Sequence, residues 1–336
     1  MTTGLVVERT GPAVSIQDLG RRGWLKSGLS RGGAADRSAF IEGLALLDLP
    51  LGTAGIEMAE LGGRFRFQAP MRFSLTGAAM KATLDGERLD AGASHFAAAG
   101  AVLDVGAAER GVYAYLHVAG GIATPVVNGG RGFHGAGGLG RLLRTGDLLP
   151  VAPDPVPDSP PARLERHAGT GPVRVMPGPQ TGLFDRDMLN SFEAAVFVRN
   201  PRANRQGVRL DHDGAPFSTR AQLNQVSDFI AEGDVQMTGD GTPYVLLAEC
   251  QTMGGYPRIG TVLPTDLPRV AQARAGEELK FRFVTIDEAE AGWQSDEEFL
   301  ASLKRARIPY IRDPRDIADL LAYDLIGRPP EDVAGD

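Results

Sequence analysis

Short runs in which apolar and polar residues alternate, rather than long amphipathic stretches, dominate the chain. Between residues 5 and 150 they read LVVERT, RFRFQ, RFSLTG, KATLDG, VLDVG, VYAYLHVAG and DLLPV, each broken off by Gly, Asp or Pro, the pattern of short strands joined by turns. One helix interrupts them. Asp36 is a good N-cap, and Phe40, Ile41, Leu44 and Leu47 follow at helical spacing, so one face is expected to pack against the sheet. The strand-rich style returns in VRVMPG, VFVRN, VRL, YVLLAEC, GTVLP and LKFRFVTI, with helical patches at 184–192 and 267–273.

This pattern predicts a mainly β protein with a few helices, divided into a first β domain at 1–151, a Pro-rich exposed linker at 152–172, a second β domain at 173–292 and a helical tail at 293–336. In the tail, Ser295 with Glu298 forms a capping box before Phe299, Leu300 and Leu303, and Asp313-Pro314 opens a further helix. Gly146-Asp147-Leu148-Leu149 and Gly276-Glu277-Glu278-Leu279 occupy similar turn-then-strand settings in the two halves, a faint hint of duplication.

Composition narrows the function classes. The 336 residues have room for two domains, and 44 Gly with 23 Pro suit many turns. A formal net charge of −7 with no basic run gives no footprint for nucleic acid or an anionic membrane. The apolar runs are too short to span a bilayer, and the opening MTTGLVVERTG lacks the layout of a signal peptide, so a cytoplasmic location is expected. Cys250 is the only cysteine; no internal disulfide or cysteine metal cage can form, and in its apolar strand it reads as an inert thiol.

Candidate chemistry comes mostly from loops. The segment QTMGGYPRIGTVLPTDL, residues 251–267, breaks two apolar runs with paired glycines, an aromatic and a proline. It reads either as a structural turn or as a fixed loop presenting Gln251, Thr252, Tyr256 and Arg258 to a ligand. Gln17, Asp18, Arg21 and Arg22 form a compact donor and acceptor group suited to a carboxylate, amide or phosphate, and Arg205 with Arg209 could form a second anion-binding pair; a salt bridge is the structural alternative for both. Of five scattered histidines, His117 reads as half-buried in a strand, and only His134 lies in a glycine-rich loop able to face a ligand. The GAGGLG run at 135–140 has the spacing of a dinucleotide loop but not its strand and helix, and Lys81 in Ala79-Met80-Lys81 lacks the setting of a biotinyl lysine. No hydrolase elbow, phosphate loop or metal signature is present, and no metal is expected.

Seven ordered segments, SIQDLGRRGWLKSGLSRGGAAD (15–36), GIEM (55–58), LTGAAM (75–80), AYLHVAGGI (114–122), MPGPQ (176–180), NRQGVRL (204–210) and the opening of 251–267, make the chain resemble the biotin-dependent carboxyltransferase/allophanate hydrolase subunit 2 family over about residues 5–283. The resemblance implies two cyclophilin-like β-barrel domains and a companion protein of the allophanate hydrolase subunit 1 kind (PxpB/KipI-like). It also implies one of three roles: a component of an ATP-dependent 5-oxoprolinase, completed by a PxpA-like subunit, that opens the lactam of 5-oxoproline to glutamate; half of a biotin-dependent carboxyltransferase acting on urea-like or amide substrates with carboxybiotin from another subunit; or a KipA-like regulator without turnover. No covalent cofactor is implied, and ATP is expected in the complex.

Carried over onto this sequence, the resemblance implies a site of Gln17, Asp18, Arg21, Gly120, Gly121, His134, Arg205, Arg209, Gln251, Thr252, Gly254, Gly255, Tyr256 and Asp266. Arginines would bind anions and glycines shape the backbone, with Asp18 and Asp266 as candidate general bases. The chain departs from the family pattern at Gly132-Phe133-His134, Asn204, Glu249-Cys250 and the helix ending LALLDLP, as expected of a diverged branch.

Overall fold

The computed structural model describes residues 4–165, 169–217, 219 and 226–310. Most of its regular structure lies in an eleven-stranded sheet, an eight-stranded sheet and a two-stranded ribbon, with five α-helices among the described residues. The protein is mainly β, with two cyclophilin-like barrels. None of these helices is long and apolar enough to cross a membrane.

The first sheet runs Ala162–Arg163, Ala93–Ala97, Met71–Leu84, Val102–Val118, Gly63–Phe67, Gly4–Thr10 and Leu148–Pro150, with neighbours antiparallel. Leu5, Val7, Phe65, Phe67, Phe73, Leu103 and Leu116 fill its interior. Two of its strands are longer than the sequence pattern suggests. Met71–Leu84 joins the runs expected as separate strands, and Val102–Val118 does the same. The pairing slips between Gly77 and Ala82, and Gly77 takes φ +86, so bulges bend the strands where the pattern predicts ends.

The second sheet runs Glu278–Leu279, Phe197–Asn204, Gly207–Asp211, Pro243–Leu246, Asp234–Met237, Arg258–Val262, Val173–Met176 and Phe281–Phe283. Phe192, Phe197, Phe217 and Phe281 stack at its centre, with Phe192 and Phe281 centroids 5.4 Å apart. Cys250 is not in a strand: Pro243–Leu246 ends earlier, and the thiol is buried in the following turn beside Ile230 and Leu246.

The helices bind the halves together. The Asp36 side chain accepts from the Ala39 amide to start α1 (Arg37–Leu46), worth about 1 kcal/mol. Seven of its ten residues are buried, so α1 buries far more than the single face expected, and its apolar side chains form one core with the interior of the second barrel. Next come α2 (Arg186–Ala194), α3 (Leu267–Gln272) and α4 (Ile286–Ala291); α4 goes unpredicted, although Thr285 and Glu288 form its capping box. In α5 (Asp296–Ala306), Ser295 and Glu298 make the expected capping box. This helix rests on α1, and Ile308–Pro309 then pairs with Ala162–Arg163 of the first sheet. The 152–172 stretch thus carries a strand residue pair and the buried Leu164. The helix expected from Asp313-Pro314 lies outside the described residues.

Candidate functional site at the barrel seam

Arg205, in the turn after Phe197–Asn204, reaches from the second barrel into the first. Its Nη1 pairs with Glu57 Oε1, its Nη2 donates to the Gly33 carbonyl, and its Nε donates to Glu249 Oε1 at 2.6 Å. Glu249 continues the connection, since its Oε2 accepts from the amides of Gly135 (2.8 Å) and Ala136 (3.3 Å) in the first half. Burial alone would lower the Arg205 pKa, but Glu57 and Glu249 more than reverse this and raise it. The other oxygen of Glu57 accepts from the Tyr115 hydroxyl (2.9 Å) and the Ala35 amide (2.8 Å), and the Tyr115 hydroxyl accepts from Asp36 N at 2.7 Å. Burial first, then the charge of Glu57, pushes the Tyr115 pKa well up, so it remains a neutral donor.

A second tie crosses the seam beside it. Gln272, at the end of α3, accepts from Val112 N and Tyr113 N through Oε1 and donates to Asp36 Oδ2 and Tyr113 O through Nε2. Both lone pairs and both protons of its amide are thereby matched, which makes it a register pin between the barrels.

Gln17, Asp18 and Arg21 do come together, but their partner is the chain itself. Asp18 accepts from the amides of Gly20 (2.8 Å), Arg131 (2.6 Å) and Gly132 (3.3 Å). Arg21 donates to the carbonyls of Val127 (3.0 Å) and Gly132 (2.7 Å), and Gln17 donates to Phe133 O at 3.1 Å. The group suited to an anion or amide therefore fastens the 127–133 loop. Buried Gln17 Oε1 and Arg21 Nη1 have no partner among the described residues.

His134 is buried rather than turned toward a ligand. Gly137 N donates to its Nδ1 at 2.9 Å, so the ring proton sits on Nε2, 3.1 Å from Ser30 O. Burial lowers its pKa, with Glu249 opposing, and it is held neutral. His117 is fully enclosed, not half-buried, because α1 covers the strand on which it lies; burial lowers its pKa to about 3.

The remaining predicted residues lie apart from this cluster. Arg209 does not join Arg205: on the strand Gly207–Asp211 it binds Asp211 at 3.0 Å. Asp266 is taken by Arg174 through both oxygens, at 2.6 and 3.0 Å; burial raises its pKa, and Arg174 brings it below the ordinary aspartate value. Gly120 and Gly121 pack against Ala152 and Thr53, serving chain packing. In the 251–267 loop, Met253–Gly254 pairs with Asp228–Phe229, leaving Gln251 and Tyr256 exposed and Thr252 buried. Gly255 directly follows that pair. Arg258 is not presented outward: it binds Asp228, Asp234 (3.2 Å) and Gln180 (3.2 Å).

Sequence reasoning missed Glu57, Glu249 as a partner of Arg205, Tyr115 and Gln272. One signal was available: Glu57 is a lone acid within the buried strand Gly55–Ala59, where a charge needs a partner.

Beside this cluster opens a cleft of about 1070 Å³ between the barrels, lined by Arg22, Arg31 and Arg37 from the first half, Glu232 and Thr261 from the second, and Trp293 and Asp296 ahead of and within α5. Such a seam, with buried charge on one side and an open hollow on the other, defines a two-barrel β protein whose recesses lie where its halves meet. Residues 27–283 match the carboxyltransferase domain, subdomain A and B, and the chain belongs to that family.

The 5-oxoprolinase C subunit of Escherichia coli (strain K12) is 31% identical over 303 residues, covering 89% of this chain and 97% of that protein. The protein of the same name from Haemophilus influenzae is 32% identical over 301 residues, covering 87% and 94%. Among solved structures, TTHA0988 aligns with a TM-score of 0.76 at 29% identity over 84% of this chain, which spans 55% of that one. The Kluyveromyces lactis urea amidolyase shares the fold, with a TM-score of 0.81 at 21% identity, over 93% of this chain and 21% of that one.

Proposed function

We propose that this chain is the counterpart of the C subunit in an ATP-dependent 5-oxoprolinase, opening the lactam of 5-oxoproline to glutamate with a PxpB/KipI-like companion and a PxpA-like subunit. The observation that carries the reading is the near end-to-end correspondence with a bacterial 5-oxoprolinase C subunit, 97% of whose length is matched. A lactam is a poor electrophile, and ATP cleavage supplies the driving force; ATP is a substrate here. The chain's own contribution is positional. Arg205, Glu57 and Glu249 fix the spacing of the barrels, so that groups on either side of the seam cleft stand in a set relation when substrate and companion assemble. Asp18 and Asp266 already bind amides and Arg174, so the reading does not make either one the base.

The family's name offers a second reading, transfer of a carboxyl group from carboxybiotin. A ureido ring needs amide donors that are free to face it, whereas the seam amides of Gly132, Gly135 and Ala136 are already bound by Asp18 and Glu249. The engagement of these amides favours the first reading, and no step is assigned to carboxybiotin.

The test is to reconstitute the chain with its companion proteins and assay glutamate from 5-oxoproline with and without ATP. ATP-dependent glutamate supports the proposal. Carboxyl transfer to a urea-like acceptor without glutamate would replace it with the second reading, and a tight complex with neither turnover would make the chain a regulator of its companion.

A further inference from the structure

Three guanidinium groups from one short stretch of chain meet at the cleft. Arg22 and Arg31 stand on the loop before α1, and Arg37 is its first residue. The carboxylate that Arg22 and Arg37 hold belongs to Asp296, the first residue of α5. Arg37 Nε donates to Asp296 Oδ1 at 2.9 Å, Arg37 Nη2 bonds Oδ2, and Arg22 Nη2 donates to Oδ2 at 2.9 Å. A forked guanidinium on both oxygens with a second one on the flank is the arrangement arginines give to a bound carboxylate or phosphate.

Arg31 completes the group without being fully engaged. Its Nη2 pairs with Glu232 at 2.7 Å, while its Nε is buried with no acceptor among the described residues. Burial lowers the Arg31 pKa, Glu232 opposes this, and the charge of Arg37 adds to the lowering, as expected where like charges crowd. Burial acts to raise the Asp296 pKa, and the bonds and charge of Arg37, followed by Arg22 and Arg31, bring it below the usual value.

The surroundings leave room for something else. A second hollow, of about 540 Å³, lies against the first, and Arg22, Arg37 and Asp296 line both, so the Asp296 carboxylate stands where the two meet. Leu300 is the one buried residue of the helix bearing it, with Phe299 and Leu303 partly buried against the core. It also lies beyond residue 283, where the family match ends.

We propose that Arg22, Arg31 and Arg37 form a binding site for the oxyanion of a small carboxylate- or phosphate-bearing molecule, and that Asp296 is its built-in competitor, occupying the place of the ligand's oxyanion until α5 is displaced. This goes beyond the oxoprolinase reading and does not depend on it. An attached carboxylate competes at high local concentration, so the free anion binds only to the fraction of molecules in which α5 has moved away.

The experiment is calorimetric titration of the full chain at constant ionic strength, with inorganic pyrophosphate as the phosphate probe and succinate as the carboxylate probe. Asp296→Asn is expected to bind one of them on the order of tenfold more tightly than the wild type, and adding Arg37→Gln to that variant should abolish the gain. The probe that responds identifies the source of the oxyanion. A folded Asp296→Asn that binds neither probe more tightly would overturn the proposal. If that variant does not fold, amide exchange on the wild type decides: saturating probe should speed exchange across residues 296–306, and unchanged exchange with both probes would overturn it.

Discussion

The imidazole of His117 occupies the space that a side chain at Gly43 would need. A Cβ placed on Gly43 would collide with the ring, and one on Gly55 would lie 2.7 Å from it, while the Phe40 ring stands edge-on at 4.4 Å. Two glycines on different elements thus frame one buried ring. Alanine at Gly43 would ordinarily favour the helix by about 1 kcal/mol. Here the collision should win, and Gly43→Ala is expected to destabilise by about 1–3 kcal/mol. Urea melts check this, and adding His117→Ala should recover part of the loss.

The same ring predicts a pH dependence. Neither His117 nitrogen has a hydrogen-bond partner among the described residues, and burial lowers its pKa from 6.5 to about 3. The unfolded chain therefore takes up a proton below pH 6.5 that the folded chain refuses. Stability should be unaffected by this group above 6.5 and fall as pH drops toward 3, by up to about 1.4 kcal/mol per unit. His117→Leu should flatten that slope between pH 6.5 and 5, where most carboxylates remain charged.

Gly120 has φ +87, and its Cβ position collides with the Ala152 carbonyl. Gly120→Ala is expected to lower stability by about 2 kcal/mol or more. Thermal melting of the isolated chain, with no substrate or partner present, is the measurement that separates this packing role from substrate contact.

Asp18 gives a comparable contrast. Its carboxylate gathers three backbone amides, so Asp18→Ala should cost about 1–3 kcal/mol and expose the 127–133 loop to protease. Limited proteolysis with mass mapping checks the location.

Cys250 should be silent to thiol reagents. It is buried, and burial foremost pushes its pKa up to about 12, so little thiolate exists near neutrality. Labelling by a disulfide reagent is expected to follow unfolding, and fast labelling of the native chain would contradict the turn described here.

Where local pattern decides structure, the sequence was readable. The Asp36 cap, the Ser295 and Glu298 box and the alternating strands each depend on residues a few positions apart. The likeness of the Gly146 and Gly276 turns is also real at the level of hydrogen bonds. Arg144 N donates to Asp147 Oδ2 and Arg274 N to Glu277 Oε2, and both glycines have positive φ. What could not be read was which long-range partner a polar side chain would find. Arg205 and Arg209 sit four apart and look like a pair, yet one crosses the seam to Glu57 while the other bonds Asp211. Gln17, Asp18 and Arg21 were legible as a donor and acceptor group, but a loop more than a hundred residues away is their partner. Burial of His134 and His117 likewise depends on elements packed over them.

The most direct test of the seam is a double-mutant cycle on Glu57→Gln and Arg205→Met, read by urea unfolding. Breaking this buried pair from either side should cost about 3–5 kcal/mol, with a coupling of about 2 kcal/mol or more. A coupling within about 0.5 kcal/mol of zero would contradict the view that this pair holds the two barrels in register.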